Sequence, residues 1–122
     1  MSEHAHQVAF FQWASHQRFP GIELLHAIPN GGHRHPAVAG KLKAEGVKAG
    51  MPDVSWPVAH GGFIGLAIEF KFADGNPGKE QRARIDQLQR EGWLVAVCWS
   101  WEAAARMLAG YAGMLFMRKM TE

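Results

Sequence analysis

A single cysteine and a single tyrosine stand among 122 residues, so Cys98 has no partner for an intrachain disulfide. It lies in the apolar run of residues 93–99 and reads as a small buried hydrophobe, which fits an intracellular setting. No apolar stretch approaches the roughly 18 residues that a membrane span needs, and no charged N-terminal segment leads into an apolar one. Neither a membrane location nor a leader is therefore expected. An excess of one charge is missing too. Thirteen Lys and Arg against eleven Asp and Glu leave a net charge of +2, too little for a general nucleic-acid coat. Contact with a polyanion would have to come from local clusters such as Arg34, Lys41, Lys43 and Lys48, or Lys79, Arg82 and Arg84. Taken singly, each cluster reads first as an ordinary solvated helix face. Internal repeats and low-complexity segments are absent, and a length of 122 residues predicts one domain, residues 1–122, with a real core, to which a hydrophobic fraction of 48% is suited.

What is present divides cleanly into elements. Residues 3–19 carry no Gly or Pro and predict a helix, with Phe10, Trp13, Ala14, Gln7 and Glu3 on one stripe. Residues 22–28 predict a strand, closed by the turn Pro29-Asn30-Gly31-Gly32. Pro36 and Gly46 bracket a short basic helix over residues 37–45. A hairpin follows, then a loop over residues 74–78 and a charged helix over residues 79–91, with Ile85 and Leu88 as its apolar face. The run 93–99 shows no alternation, as in a strand covered on both faces and paired in parallel with residues 63–72. Ser100 N-caps a last helix, with Gly110 near its end. The order is α-β-α-β-β-α-β-α, an α/β fold with a small mixed sheet flanked by helices.

The hairpin carries the chemistry. With its turn at His60-Gly61-Gly62 and Gly61 at the centre, Asp53 faces Glu69, Val54 faces Ile68, Trp56 faces Leu66 and Val58 faces Ile64. Pro57, which cannot donate to a ladder, falls opposite Gly65. Directly opposed side chains have Cβ atoms about 4.5–5.5 Å apart. Lys71 lies two residues past Glu69 on the same face. One register thus yields an apolar face for the core and a polar face with two acids and an amine. Opposed carboxylates repel, and a divalent cation such as Mg²⁺ or Mn²⁺ removes the conflict. The plainer alternative makes Asp53 and Glu69 solvated strand residues with Lys71 as their ion-pair partner. The agreement of Pro52-Asp53, the register and Glu69-x-Lys71 favours the metal.

Pro52-Asp53, Glu69-x-Lys71 and Gln81 at the start of the following helix resemble the motif of the PD-(D/E)XK nuclease superfamily. With residues 28–32 and 42–53, the chain more narrowly resembles the virus-type replication-repair nuclease (VRR-NUC) family, in stand-alone phage or bacterial form. The likeness runs from about Glu3 to Ala109. It implies a restriction-endonuclease-like core and a Mg²⁺- or Mn²⁺-dependent endonuclease in the cytoplasm of a bacterial cell or phage-infected host. Asp53, Glu69 and the backbone carbonyl of Phe70 would hold the metal. Lys71 would orient or deprotonate the attacking water, and Gln81 would steady the site. Glu3 matches an additional acid of the family site, although it reads equally as a first-turn acid complementing the helix dipole. The implied substrate is branched DNA such as a Holliday junction, met in replication, repair or recombination and cut by a homodimer. Flap, nicked or single-stranded DNA is the alternative, and a catalytically silent nucleic-acid-binding module is another; the complete triad Asp53, Glu69 and Lys71 speaks against that last one.

Seven histidines raise the question of zinc, but His4 and His6 do not share a helix face, and His33 and His35 have no third ligand at a recognisable spacing. Asn30, His33 and Arg34, with two glycines between and beside them, suit contact with a phosphate backbone, as does Lys48. A tight surface turn explains residues 30–36 equally well. Tyr111, Met114, Leu115, Phe116 and Met117 form either a last core-covering piece or, as the resemblance implies, a subunit interface.

Overall fold

The computed structural model describes residues 1–29 and 35–121, with side chains described as far as Met114 in the last helix. The elements are α1 (Glu3–Ala14), β1 (His26–Ala27), α2 (Pro36–Ala44), β2 (Val54–Trp56), β3 (Gly65–Phe70), α3 (Lys79–Arg90), β4 (Trp93–Cys98) and α4 (Trp101–Thr121). The sheet runs β1-β2-β3-β4, antiparallel at its first two junctions and parallel at the third. The parallel β3–β4 pair is joined through α3, as a helical crossover requires.

The apolar face of the hairpin forms as its alternation predicts. Val54 pairs with Ile68, and Trp56 with Leu66. All four are buried with Phe70, Ala96 and Cys98 against Phe10 of α1 and Ala104, Leu108, Tyr111 and Ala112 of α4. The opposite face is closed around the acids as well: Glu69 is 2% exposed and Asp53 9%, and Gln81 of α3 is hydrogen-bonded to Glu69.

Six local expectations are corrected. First, α1 ends at Ala14 and not at Phe19, because Ser15 Oγ donates to the Gln12 carbonyl and Gln17 Nε2 to that of Trp13. With the backbone bonds from His16 N–H to the Trp13 carbonyl and from Gln17 N–H to that of Ala14, they satisfy the final carbonyls in a tightened last turn. Second, the strand of residues 22–28 shrinks to His26–Ala27, preceded by a 3-10 turn over Ile22–Leu24. Gly21, at a φ of 80°, redirects the chain, and its carbonyl accepts from Trp56 Nε1. Third, the Val58–Ile64 and Pro57–Gly65 pairs do not form: the β2–β3 ladder stops at Trp56, and Val58 N–H donates to the Trp56 carbonyl. Pro57 offers no N–H to carry the ladder on. Gly61 and Gly62, both at positive φ, make a two-residue turn between His60 and Phe63, one residue out of step with the ladder. Fourth, α2 and α3 end one residue sooner than expected, and α2 begins at Pro36, capped by His35 Nδ1 accepting from Ala37 N–H. Fifth, β4 stops at Cys98, is only partly covered, and leaves Trp99 43% exposed. Sixth, α4 runs through Gly110 to Thr121, because Leu108, Tyr111 and Ala112 bury one face and Tyr111 Oη donates to the Val58 carbonyl. Ser100 Oγ accepts from Ala103 N–H, the cap that its sequence position predicts. Among the described residues no helix is long and apolar enough to cross a membrane.

Candidate active site

Two strands and one helix deliver the candidate residues to the carboxyl-terminal end of β3. Asp53 stands one residue before β2 and is held at two points: its carbonyl accepts from Ile28 N–H at 2.8 Å, and Oδ2 accepts from Phe70 N–H at 2.7 Å. The second bond places the Asp53 carboxylate beside the last peptide of β3, where Glu69 and Phe70 sit. The loop before Asp53 is fixed as well. Gly50 has a φ of 83°, and a Cβ there would come within 2.9 Å of the Glu80 backbone. Only glycine allows this loop to lie so close to α3. Arg84 Nε reaches the Ala49 carbonyl at 3.5 Å. The sequence reading gave Gly50 and Arg84 no part in holding this loop; a glycine just ahead of Pro52-Asp53 was the available signal.

Glu69 is the electrostatic centre of the arrangement. Burial is the main cause that pushes its carboxyl from 4.5 up to about 9; a hydrogen bond shared with Asp53 and repulsion from its charge add to this, as does Glu3. Lys71 acts in the opposite direction. Gln81 Nε2 donates to Glu69 Oε1 at 3.3 Å, while Gln81 Oε1 accepts from Gly78 N–H at 2.9 Å. The amide therefore spans the start of α3 and the acid, and both of its ends are fixed. Glu69 Oε2 is buried and accepts no bond from an N–H or O–H group among the described residues. Ionised, the pair can share no proton, and the orphaned oxygen lacks compensation.

That donor set fits a hard divalent cation: two adjoining carboxylates, one with an orphaned buried oxygen, and a nearby main-chain carbonyl. The structure thus brings Asp53, Glu69, Lys71 and Gln81 together by contact or by charge. Glu3 is near enough for its charge to raise Glu69, yet among the described residues no three His, Cys, Asp or Glu side chains converge as a metal cluster. Lys48 lines a shallow groove with Met51, Arg84, Gln87, Leu88 and Glu91, along the later turns of α3 and away from Gln81. Asn30, His33 and Arg34 lie outside the described residues.

The description VRR-NUC domain matches residues 1–101, which include every candidate named above. A solved structure described as a VRR_NUC domain protein is similar over 93% of this chain and 90% of its own, with 28% identity and a TM-score of 0.79. No curated protein matches the chain.

Proposed function

This chain belongs to the VRR-NUC domain family and is a nuclease domain, and from that premise we propose that it is a Mg²⁺- or Mn²⁺-dependent endonuclease of branched DNA. The observation that carries the reading is the buried Asp53–Glu69 pair with its orphaned Glu69 oxygen, next to the charge of Lys71. Asp53, Glu69 and the Phe70 carbonyl would hold the ion, with Glu3 as a further acid. A bound divalent ion supplies Lewis-acid polarisation of the phosphate and a lowered water pKa. Gln81 keeps Glu69 turned toward the metal side by tying Oε1 to α3. Lys71 as the cation orients the attacking water and offsets charge building on the phosphate, and it takes up the water's proton only after giving its own to solvent.

Cleavage assays on four-way junctions, flaps, nicked duplex and single strands, each with Mg²⁺, Mn²⁺ or EDTA, test the reading. Cutting requires metal, favours the branched substrate, and is lost in Asp53→Asn and Glu69→Gln while both variants stay folded. Metal-dependent cutting at full rate by either variant rejects the assignment. Flap, nicked or single-stranded DNA as the preferred substrate moves the specificity and leaves the chemistry in place. The proposal includes a homodimer in the cytoplasm of a bacterial cell or phage-infected host. Met107 and Met114, two turns apart on α4 and 36% and 42% exposed, favour an interface along that helix. Sedimentation at twice the chain mass is the expected result.

A further inference from the structure

The end of β4 presents an aromatic surface that the metal chemistry does not use. Lys71 N–H donates to the Cys98 carbonyl at 2.9 Å, one bond beyond the last β3–β4 pair, Phe70–Cys98. Carrying that register one step further puts Trp99 alongside Lys71, as Val97 lies alongside Glu69. Trp99 is 43% exposed, whereas Trp101, two residues on, packs against the core. The exposed indole is nevertheless anchored: Nε1 donates to the Gly75 carbonyl at 2.7 Å. Gly75 belongs to the loop that leads from Lys71 to α3. Arg82 in α3 donates from Nη1 to the Pro77 carbonyl of that loop at 3.0 Å. Phe72, directly after Lys71 in the chain, is 49% exposed. Two open aromatic residues therefore stand next to Lys71, Phe72 in the chain and Trp99 across the strand end, the latter fixed to a loop that the Arg82 guanidinium also grips.

An indole fixed in the open beside a polyanion-cleaving centre suits an occupant with a flat apolar face and an attached negative charge. A nucleobase on its phosphate backbone has both. A base inside a duplex has its faces already stacked and cannot offer them to a side chain, whereas an unpaired base can. We propose that Trp99, assisted by Phe72, is a stacking platform for an unpaired base next to the cleaved phosphate. The occupant that follows is an unpaired nucleotide at the cut, supplied by a flap or by a branch point whose closing pairs have opened. This inference rests on the nuclease reading above and deepens it.

The test compares binding of a fluorescein-labelled single-stranded oligonucleotide with that of a blunt duplex of the same sequence, in EDTA so that nothing is cut. Trp99→Ala weakens single-strand binding by about 5- to 100-fold, the usual worth of one stacked base, and leaves duplex binding unchanged. Trp99→Phe keeps a ring and most of the affinity. With Mg²⁺, Trp99→Ala raises KM on a substrate carrying an unpaired stretch more than it lowers kcat. Equal weakening on both oligonucleotides, or no change on either, overturns the platform. Should Trp99→Ala fail to fold by circular dichroism, Phe72→Ala is read in the same way, since that exposed ring lies outside the core. Absence of cleavage by the unmodified protein counts against the nuclease chemistry alone, because the binding comparison is made without metal.

Discussion

Burial makes Glu69 a reluctant anion, and a metal site needs it as one. A carboxyl whose folded-state pKa stands near 9 and whose ordinary value is 4.5 binds more protons folded than unfolded between those limits. Its contribution to stability is whole below about pH 4.5 and is lost as pH climbs toward 9. Glutamine imitates the protonated acid at every pH. In EDTA, Glu69→Gln should therefore match the parent protein at pH 4.5 and exceed it at pH 8 by on the order of 2 kcal/mol, several degrees in melting temperature. Mg²⁺ should raise the melting temperature of the parent protein and not of the variant. Thermal melts at the two pH values check both statements, and a variant less stable than the parent at pH 8 contradicts the burial account. Gln81 offers a second test at this scale. As the partner that orients Glu69 Oε1, it is worth about 10- to 100-fold in metal affinity or activity, so Gln81→Ala should shift the Mg²⁺ dependence of cleavage by that factor.

Among the elements, the segment between α2 and β2 sets where Asp53 stands. Gly50→Ala would place an L-residue at positive φ and a methyl group 2.9 Å from the Glu80 backbone. The expected cost is about 1–3 kcal/mol in a denaturant titration, with a larger fractional loss of cleavage than of fold, because the Asp53–Phe70 bond depends on that loop. Gly46→Ala, also at positive φ but facing open space, is the control: it should lower stability without altering cleavage by the folded fraction. The same scale shows what the sequence made legible. Alternation from Val54 to Trp56 and from Leu66 to Phe70 determines which side chains join the apolar core, and the Gly61-Gly62 pair marks the turn, so the Val54–Ile68 and Trp56–Leu66 register next to the acids could be read from the sequence. Residues 22–28 defeated the same logic, since the bend at Gly21 and its bond to the Trp56 indole are long-range choices that local pattern does not encode. Gly110 misled for the converse reason: a helix whose buried face continues through Tyr111 and Ala112 tolerates an internal glycine. The roles of Gly50 and Arg84 were invisible because they act through a contact between a loop and a helix some thirty residues later in the chain.

For the whole molecule the deciding quantity is how its charge is distributed. A net +2 gives no broad positive field, so capture of a nucleic acid must depend on a few cations near the site. Lys71, Lys79 and Arg82 stand at the start of α3 and the end of β3, and Lys48 and Arg84 lie along the groove farther down α3. Three to five phosphate contacts release counterions with a dependence of about −0.7 per contact on single strands and −0.9 on duplex. The logarithm of the binding constant should then fall against that of salt concentration with a slope of roughly −2 to −5, far from the −10 of a strongly basic DNA-binding surface. Arg82→Ala should reduce the magnitude of that slope by somewhat less than one, whereas Trp99→Ala should weaken binding at every salt concentration and leave the slope alone, because stacking displaces no counterion. Binding isotherms at four or five salt concentrations separate the two effects. A steep slope that Arg82→Ala leaves untouched would move the nucleic-acid path away from the edge where Glu69, Lys71 and Trp99 meet.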